Sequence, residues 1–186
     1  MLIRNPTAVG IVLGLLLAGS NTAMADFVGD SQSRISVSGS QTAPVGFQVF
    51  CLQNPSYCRG GGGSEVELSD AVWRAIGNVN TAINGAIRPH GEPRDTWSIG
   101  VREGDCEDYV LAKRAELIKA GLPAGALRIA TANTRQGVGH AVLVVRTSQG
   151  DYVLDNLTNE VKSWDKTGLR WVAMSGSNPM RWQSIR

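Results

Sequence analysis

The chain has 186 residues, of which 42% are hydrophobic and 18% charged, with a formal net charge of +2. That length supports one packed core and suggests one domain. No segment concentrates basic residues, which argues against nucleic acid or an acidic membrane as partner.

Residues 1–25, MLIRNPTAVGIVLGLLLAGSNTAMA, place Arg4 ahead of an apolar core from Val9 to Ala18 and end on Ala23-Met24-Ala25. These are the three parts of a cleaved secretory signal peptide. The apolar core is too short for a membrane span, which takes roughly 20 apolar residues, and no later segment approaches that length. Cleavage after Ala25 removes Arg4 alone among the charges and leaves 17 basic against 16 acidic residues. The expected mature chain is soluble, exported to the periplasm or the medium, and near neutral.

Residues 26–44 are polar, Ser-rich and without apolar periodicity, so a flexible N-terminal arm is expected there, with the folded domain over residues 45–186. Cys51 and Cys58 flank a short segment containing Pro55, which favours a tight loop able to bring the two side chains together. In an oxidising compartment a disulfide is the expected state of that pair, and it leaves Cys106 as a single thiol. The run RGGGGSE, residues 59–65, reads as a flexible loop, and its spacing matches no phosphate-binding glycine pattern.

Ser69 is placed to cap a helix starting at Asp70, with Val72, Ile76, Val79, Ile83 and Ile87 at helical spacing until Pro89 stops it. That helix reads as a packing helix. An irregular loop holding His90 and Trp97 follows. A second helix is expected from about Cys106 to Ala120, with Asp105 as N-cap, Val110, Leu111, Ala115, Leu117 and Ile118 inward, and Gly121 and Pro123 as the stop. Then the period changes: LRIATAN, HAVLVVRT and DYVLDNL are rich in β-branched residues, with a turn at 148–150 between the last two. Helices followed by strands indicate α+β with an antiparallel sheet, and the tail with Trp164, Trp171 and Trp182 is expected to add edge strands covering it.

Cys106 at a helix start faces unpaired backbone N–H groups and the positive end of the helix dipole, both of which favour a thiolate. Its neighbours Asp105, Glu107 and Asp108 oppose that charge. A base is needed as well, and the chain offers His90, in a loop where solvation is the simpler state, and His140, opening a strand. If the loop between the two adjacent strands has an even number of residues, Asp155 falls opposite Val142 or Val144, on the face of His140. Thiolate, base and base-orienting carboxylate are the three roles of covalent acyl transfer. Each residue has an ordinary reading too: a small buried hydrophobe, a hydrogen-bonded histidine and a turn aspartate. Their coincidence favours the functional one.

GDCEDYVLAK, GHAVLVVRT, GDYVLDN and the earlier NVNTAINGAIRP resemble the bacterial transglutaminase-like cysteine proteinases, the family that includes the periplasmic LapG-type proteases. The resemblance covers roughly residues 45–185 and implies a papain/transglutaminase-like core with a catalytic helix on an antiparallel sheet. It implies Cys106 as nucleophile, His140 as general base and then acid, and Asp155 as the residue that orients it. It also implies calcium, with Asp105 and Glu107 at the matching positions; the alternative is that Asp105 is only the N-cap and that Glu107 and Asp108 only complement the helix dipole. For the oxyanion, the backbone N–H of Cys106 is the first donor, and Trp97, through its indole N–H or by covering the site, is the second candidate beside a plain core role. An envelope or secreted protein is the implied substrate, and a regulatory inner-membrane partner is implied with it. A transglutaminase or amidase would use the same triad and the same thioester, and a non-catalytic binding protein could keep the same fold.

Overall fold

The computed structural model describes residues 33–91 and 95–186. The expected signal peptide and residues 26–32 of the expected arm lie outside them. In chain order the elements are β1 (Val37–Gln41), α1 (Val45–Gln53), α2 (Asp70–Ala86), β2 (Arg88–Pro89), β3 (Glu103–Gly104), α3 (Cys106–Lys119), β4 (Leu127–Asn133), β5 (Gly139–Thr147), β6 (Gly150–Leu154), β7 (Lys162–Ser163), β8 (Arg170–Ser175) and β9 (Trp182–Ile185). Among the described residues one seven-stranded antiparallel sheet has the order β1-β9-β8-β4-β5-β6-β7. The short strands β2 and β3 pair separately and in parallel. The fold class is α+β, as expected.

Both faces of the central strands are buried, which explains why β4 and β5 read as near-continuous apolar runs. On one face Leu127, Ile129, Ala141, Leu143, Val145 and Leu154 join Val110, Leu111 and Leu117 of α3 in a single core. On the other, Ala130, Val142, Val144, Val153 and Met174 pack with Ile35. Alternation along β5 therefore decides which side chains meet the helix. Leu117 is fully buried in the first core, so its truncation to alanine should cost about 2–5 kcal/mol.

Three expectations change. The stretch read as arm is part of the domain from Ser33 onward: β1 pairs with β9, Asp151 N donates to Ser33 O at 3.0 Å, and Ile35 is buried. Its serines and glycine hide a strand because an edge is held by backbone hydrogen bonds. Of the tail strands only β7 is an edge as expected, whereas β8 lies between β4 and β9, and β9 between β8 and the other edge, β1. Among the residues expected inward on α3, Ile118 is exposed, while Lys113 and Arg114 are buried.

Cys51 and Cys58 form a disulfide with their Cα atoms 5.6 Å apart. Cys51 lies in α1, and the chain turns back through Asn54 and Pro55, whose carbonyls accept from Tyr57 N at 3.0 Å and Cys58 N at 3.3 Å. Arg114 of α3 locks this loop to the helix by donating to Tyr57 O at 2.7 Å and Arg59 O at 3.1 Å. The disulfide is thereby fastened to the helix that begins with Cys106.

Candidate active site

Gly104-Asp105-Cys106-Glu107-Asp108 builds the start of α3. Asp108 is buried and its carboxylate accepts from Ser98 N at 2.7 Å and from Asp105 N at 3.3 Å. It ties the preceding loop to the first turn. Gly104 lies against it: a Cβ there would overlap Asp108 Oδ2 and stand 2.9 Å from its Cγ. The glycine is needed for close approach rather than for an unusual backbone angle.

Cys106 is the first residue of α3, half-buried and without a disulfide partner. Its thiol donates to Glu107 Oε2 at 3.0 Å. Burial pushes the thiol pKa far up, the Glu107 hydrogen bond and charge push it further, and Asp105 adds to this. Against them, the nearby backbone N–H of Ala141 lowers it. That contact sets Cys106 beside the start of β5. Burial, then a hydrogen bond shared with Asp105, pushes the Glu107 carboxyl up to about 7. In this state the carboxylates hold the thiol protonated, as their sign requires.

His140 is buried at the start of β5, and its Nε2 lies 2.8 Å from Asp155 Oδ1. The turn between β5 and β6 is the two-residue Ser148–Gln149, closed by the pair Thr147↔Gly150. The register ends on the pair Leu143↔Leu154, so Asp155, one residue beyond β6, comes alongside the start of β5 within hydrogen-bond reach of His140. The even-loop condition is met. Desolvation raises the Asp155 pKa, but the hydrogen bond and charge of His140, the Leu157 N–H and the field of Lys113 outweigh it and hold the carboxyl below its ordinary value. A carboxylate only accepts, so Nε2 carries the hydrogen of this bond, and Nδ1 is the nitrogen left to exchange a proton.

The helix read as mere packing holds this loop. Asn84 of α2 shares its amide hydrogens among Asp155 O, Thr158 O and Asn159 Oδ1, each at 3.0 Å, and the fully buried Asn80 donates to Thr158 O at 3.0 Å. The signal was available as two asparagines four residues apart on one helix face. His90 is exposed, and its backbone N–H donates to Gly104 O at 2.8 Å. Trp97 is 6% exposed against Phe47, and its indole N–H donates to Asp95 Oδ1 at 2.8 Å. That bond occupies the donor an oxyanion would need.

Asp105 Oδ1 is buried without a hydrogen-bond partner. An orphaned carboxylate oxygen next to a second carboxylate with a raised pKa is a donor set suited to a hard cation. Among the described residues no group of three or more histidine, cysteine, aspartate or glutamate side chains is arranged to hold a metal. Backbone carbonyls and water would have to complete the shell around Asp105 and Glu107.

The family model for the bacterial transglutaminase-like cysteine proteinases matches residues 37–186. Among solved structures, calcium-bound Legionella pneumophila LapG aligns with a TM-score of 0.51 at 25% identity, over 55% of this chain and 64% of LapG. The EGTA-treated form of the same protein aligns with a TM-score of 0.52 at 25% identity, over 57% of this chain and 64% of LapG. The match thus spans less than two thirds of LapG. No curated protein sequence matches the chain.

Proposed function

The chain belongs to the bacterial transglutaminase-like cysteine proteinases, and from that premise we propose that it is an exported cysteine endopeptidase acting on an envelope or secreted protein. Cys106 is its nucleophile, His140 its base and then acid, and Asp155 the group that orients His140. The observation that carries this reading is the His140–Asp155 bond at 2.8 Å, one residue from Ala141, whose backbone N–H lies near enough to the Cys106 sulfur to lower its pKa.

The order of events follows from these roles. His140 Nδ1 takes the thiol proton as Sγ attacks the scissile carbonyl carbon, and the C=O electron pair moves to oxygen. The Cys106 backbone N–H, at a helix start where no preceding turn supplies it a carbonyl, is directed at that oxygen. Cleavage of the C–N bond expels the amine, which leaves with the proton from the imidazolium, and a thioester remains on Cys106. Water then attacks the thioester, passes a proton to His140 and releases the acid, and His140 returns the proton to sulfur.

The thiol bound to Glu107 is the resting obstacle to this sequence. Asp105 and Glu107 would hold a calcium ion, which supplies a local positive charge that reverses their field at the thiol. The orphaned Asp105 oxygen supports this assignment, as does the existence of calcium-bound LapG.

The test compares new protein N-termini in the envelope and medium of cells carrying the intact protein or the Cys106→Ala variant, with calcium present. A small set that vanishes with alanine is expected and identifies the substrate. Identical sets would overturn the endopeptidase reading.

A further inference from the structure

The sheet face turned away from α3 carries a cleft that the candidate active site does not use. Leu127 and Ile129 of β4 pack toward α3, so Arg128 between them faces the other way, and its partner on β5 is Val144 of the second core. Arg146, two residues further along β5, shares that face. Together with Arg181 these arginines line a cleft of about 800 Å³ whose walls come from β1, β9 and the loop joining β8 to β9, a size ordinary for a small-molecule site. Among the described residues that line it there is no carboxylate, while Gln41, Ser177 and Asn178 supply amides and a hydroxyl. His140 pairs with Ala132, four residues along β4 from Arg128 and so about 13 Å away at the rise of a strand. The cleft is separate from the Cys106 site.

Arg128 is 6% exposed, its Nη2 donates to Ser64 O at 3.1 Å, and its Nε is buried without a hydrogen-bond partner. The nearby carboxylates are committed elsewhere. Asp151 takes Arg146 on both oxygens, Nε at 3.0 Å and Nη2 at 2.8 Å, and Glu65, next to Ser64, pairs with Arg34 at 3.0 Å. Among the described residues neither Arg128 nor Arg181 forms an ion pair. Burial, then the charge of Arg146, pushes the Arg128 pKa down to about 10 against the pull of Asp151, so it stays a cation near neutrality. A buried guanidinium held by one carbonyl is under-compensated. Gly176, which also lines the cleft, puts no side chain over it: a Cβ there would stand 3.8 Å from Arg128 Nη1. The glycine-rich run 59–65 builds this end of the cleft. A Cβ on Gly60 would overlap Ser177 O, and Gly61 O accepts from Gly125 N at 2.8 Å, so the run is a packed wall that brings Ser64 O to Arg128.

We infer that this cleft is a second binding site, for a small oxyanion of at least two negative charges, a phosphate or a polycarboxylate, seated on Arg128 and met by the exposed Arg181. The two arginines without a carboxylate set the charge of the ligand. Guanidinium forks set its chemistry, because they take phosphate and carboxylate oxygens in pairs. The amides of Gln41 and Asn178 and the hydroxyl of Ser177 are donors for its remaining oxygens. The inference is independent of the Cys106–His140–Asp155 assignment.

The experiment is equilibrium dialysis of the mature protein against radiolabelled inorganic phosphate, citrate or acetate, without calcium, which phosphate and citrate themselves bind. One-to-one binding of phosphate or citrate is expected, weakened by added sodium chloride, with acetate much weaker because it carries a single charge. The tighter of the two probes tells phosphate from carboxylate chemistry. Arg128→Gln is expected to lower the affinity by about tenfold or more, as the loss of a charge-assisted contact does. Arg181→Glu is expected to lower it too by reversing a charge at an exposed position, and it answers the question if the Arg128 variant does not fold. Thermal unfolding shows which variants are folded. Failure of both probes to bind the wild type overturns the inference, and so does unchanged binding in a folded variant of either arginine. Because the measurement needs no turnover, failure of the endopeptidase reading would leave its result standing.

Discussion

His140 Nε2 stands 2.8 Å from Asp155 Oδ1, and the same oxygen accepts the Leu157 N–H at 3.0 Å. One oxygen thus fixes both the imidazole and the loop that carries it. Asparagine at 155 keeps an acceptor for Nε2–H but loses the charge, whereas alanine loses both. Cys106 is the free cysteine among the described residues, so iodoacetamide labelling followed by mass spectrometry reads it without ambiguity. At pH 7 with calcium, Asp155→Ala should slow labelling by about tenfold or more, and Asp155→Asn should fall between it and wild type. Labelling of the alanine variant at the wild-type rate would show that Asp155 does not act on the thiol through His140.

Gly104 and Asp108 make a second prediction. The Asp108 carboxylate cannot leave the space a Gly104 side chain would enter without releasing Ser98 N and Asp105 N. Gly104→Ala should therefore destabilise by about 1–3 kcal/mol, as overpacking does. Part of the cost should fall on Cys106 reactivity, because the displaced element is the first turn of α3. Urea denaturation measures the first effect and iodoacetamide labelling the second. An alanine variant with wild-type stability would mean that Asp108 has room to move.

The parts of this site that a reader of the sequence could find are those governed by local rules. Ser69 was legible as a cap, and its hydroxyl accepts from Val72 N at 3.3 Å. Cys106 at the start of α3 and the turn at Ser148–Gln149 follow from capping and turn chemistry, and that turn sets the register that brings Asp155 to His140. What escaped notice depends on long-range compensation. Helix α1, VGFQVFCLQ, is apolar at too many positions to show a stripe. Lys113 and Arg114 break the rule that such side chains stay wet: Lys113 lies over the Tyr109 ring, and a set of backbone carbonyls from distant segments awaits Arg114. Asp108 reads locally as a complement to the helix dipole, but its carboxylate holds Ser98 N, ten residues earlier in the chain.

The disulfide closes a short loop, Cys51 and Cys58 being 7 residues apart, so loop-closure entropy assigns it about 2 kcal/mol. The intact mass of the mature protein should be two hydrogens below that of the free thiols. Thermal unfolding in a Cys106→Ala background, with and without reductant, reads the stability cost free of thiol exchange at the active site. Since Arg114 ties the loop to α3 through Tyr57 and Arg59, reduction should also alter Cys106 labelling in the otherwise native chain. Equal melting with and without reductant would place the stability of this region in the Arg114 clamp alone.

Lys113 also implies a pH dependence whose direction is fixed. Burial lowers its pKa to about 7 and Asp155 opposes that only in part, while an unfolded lysine titrates near about 10.4. Between those values the unfolded chain binds more protons than the folded one, so the unfolding free energy contributed by this group rises with pH. Below about 7 both states are protonated, the full cost of the buried charge is present, and the slope ends. Lys113→Met lacks the step altogether. Urea denaturation at pH 7, 8, 9 and 10 should therefore show wild type gaining on the Met variant across the series, by a total of the order of a few kcal/mol. The use of differences cancels Cys106 and Glu107, which titrate in both proteins. A constant difference over that range would mean that burial does not lower the pKa of Lys113 in the folded chain.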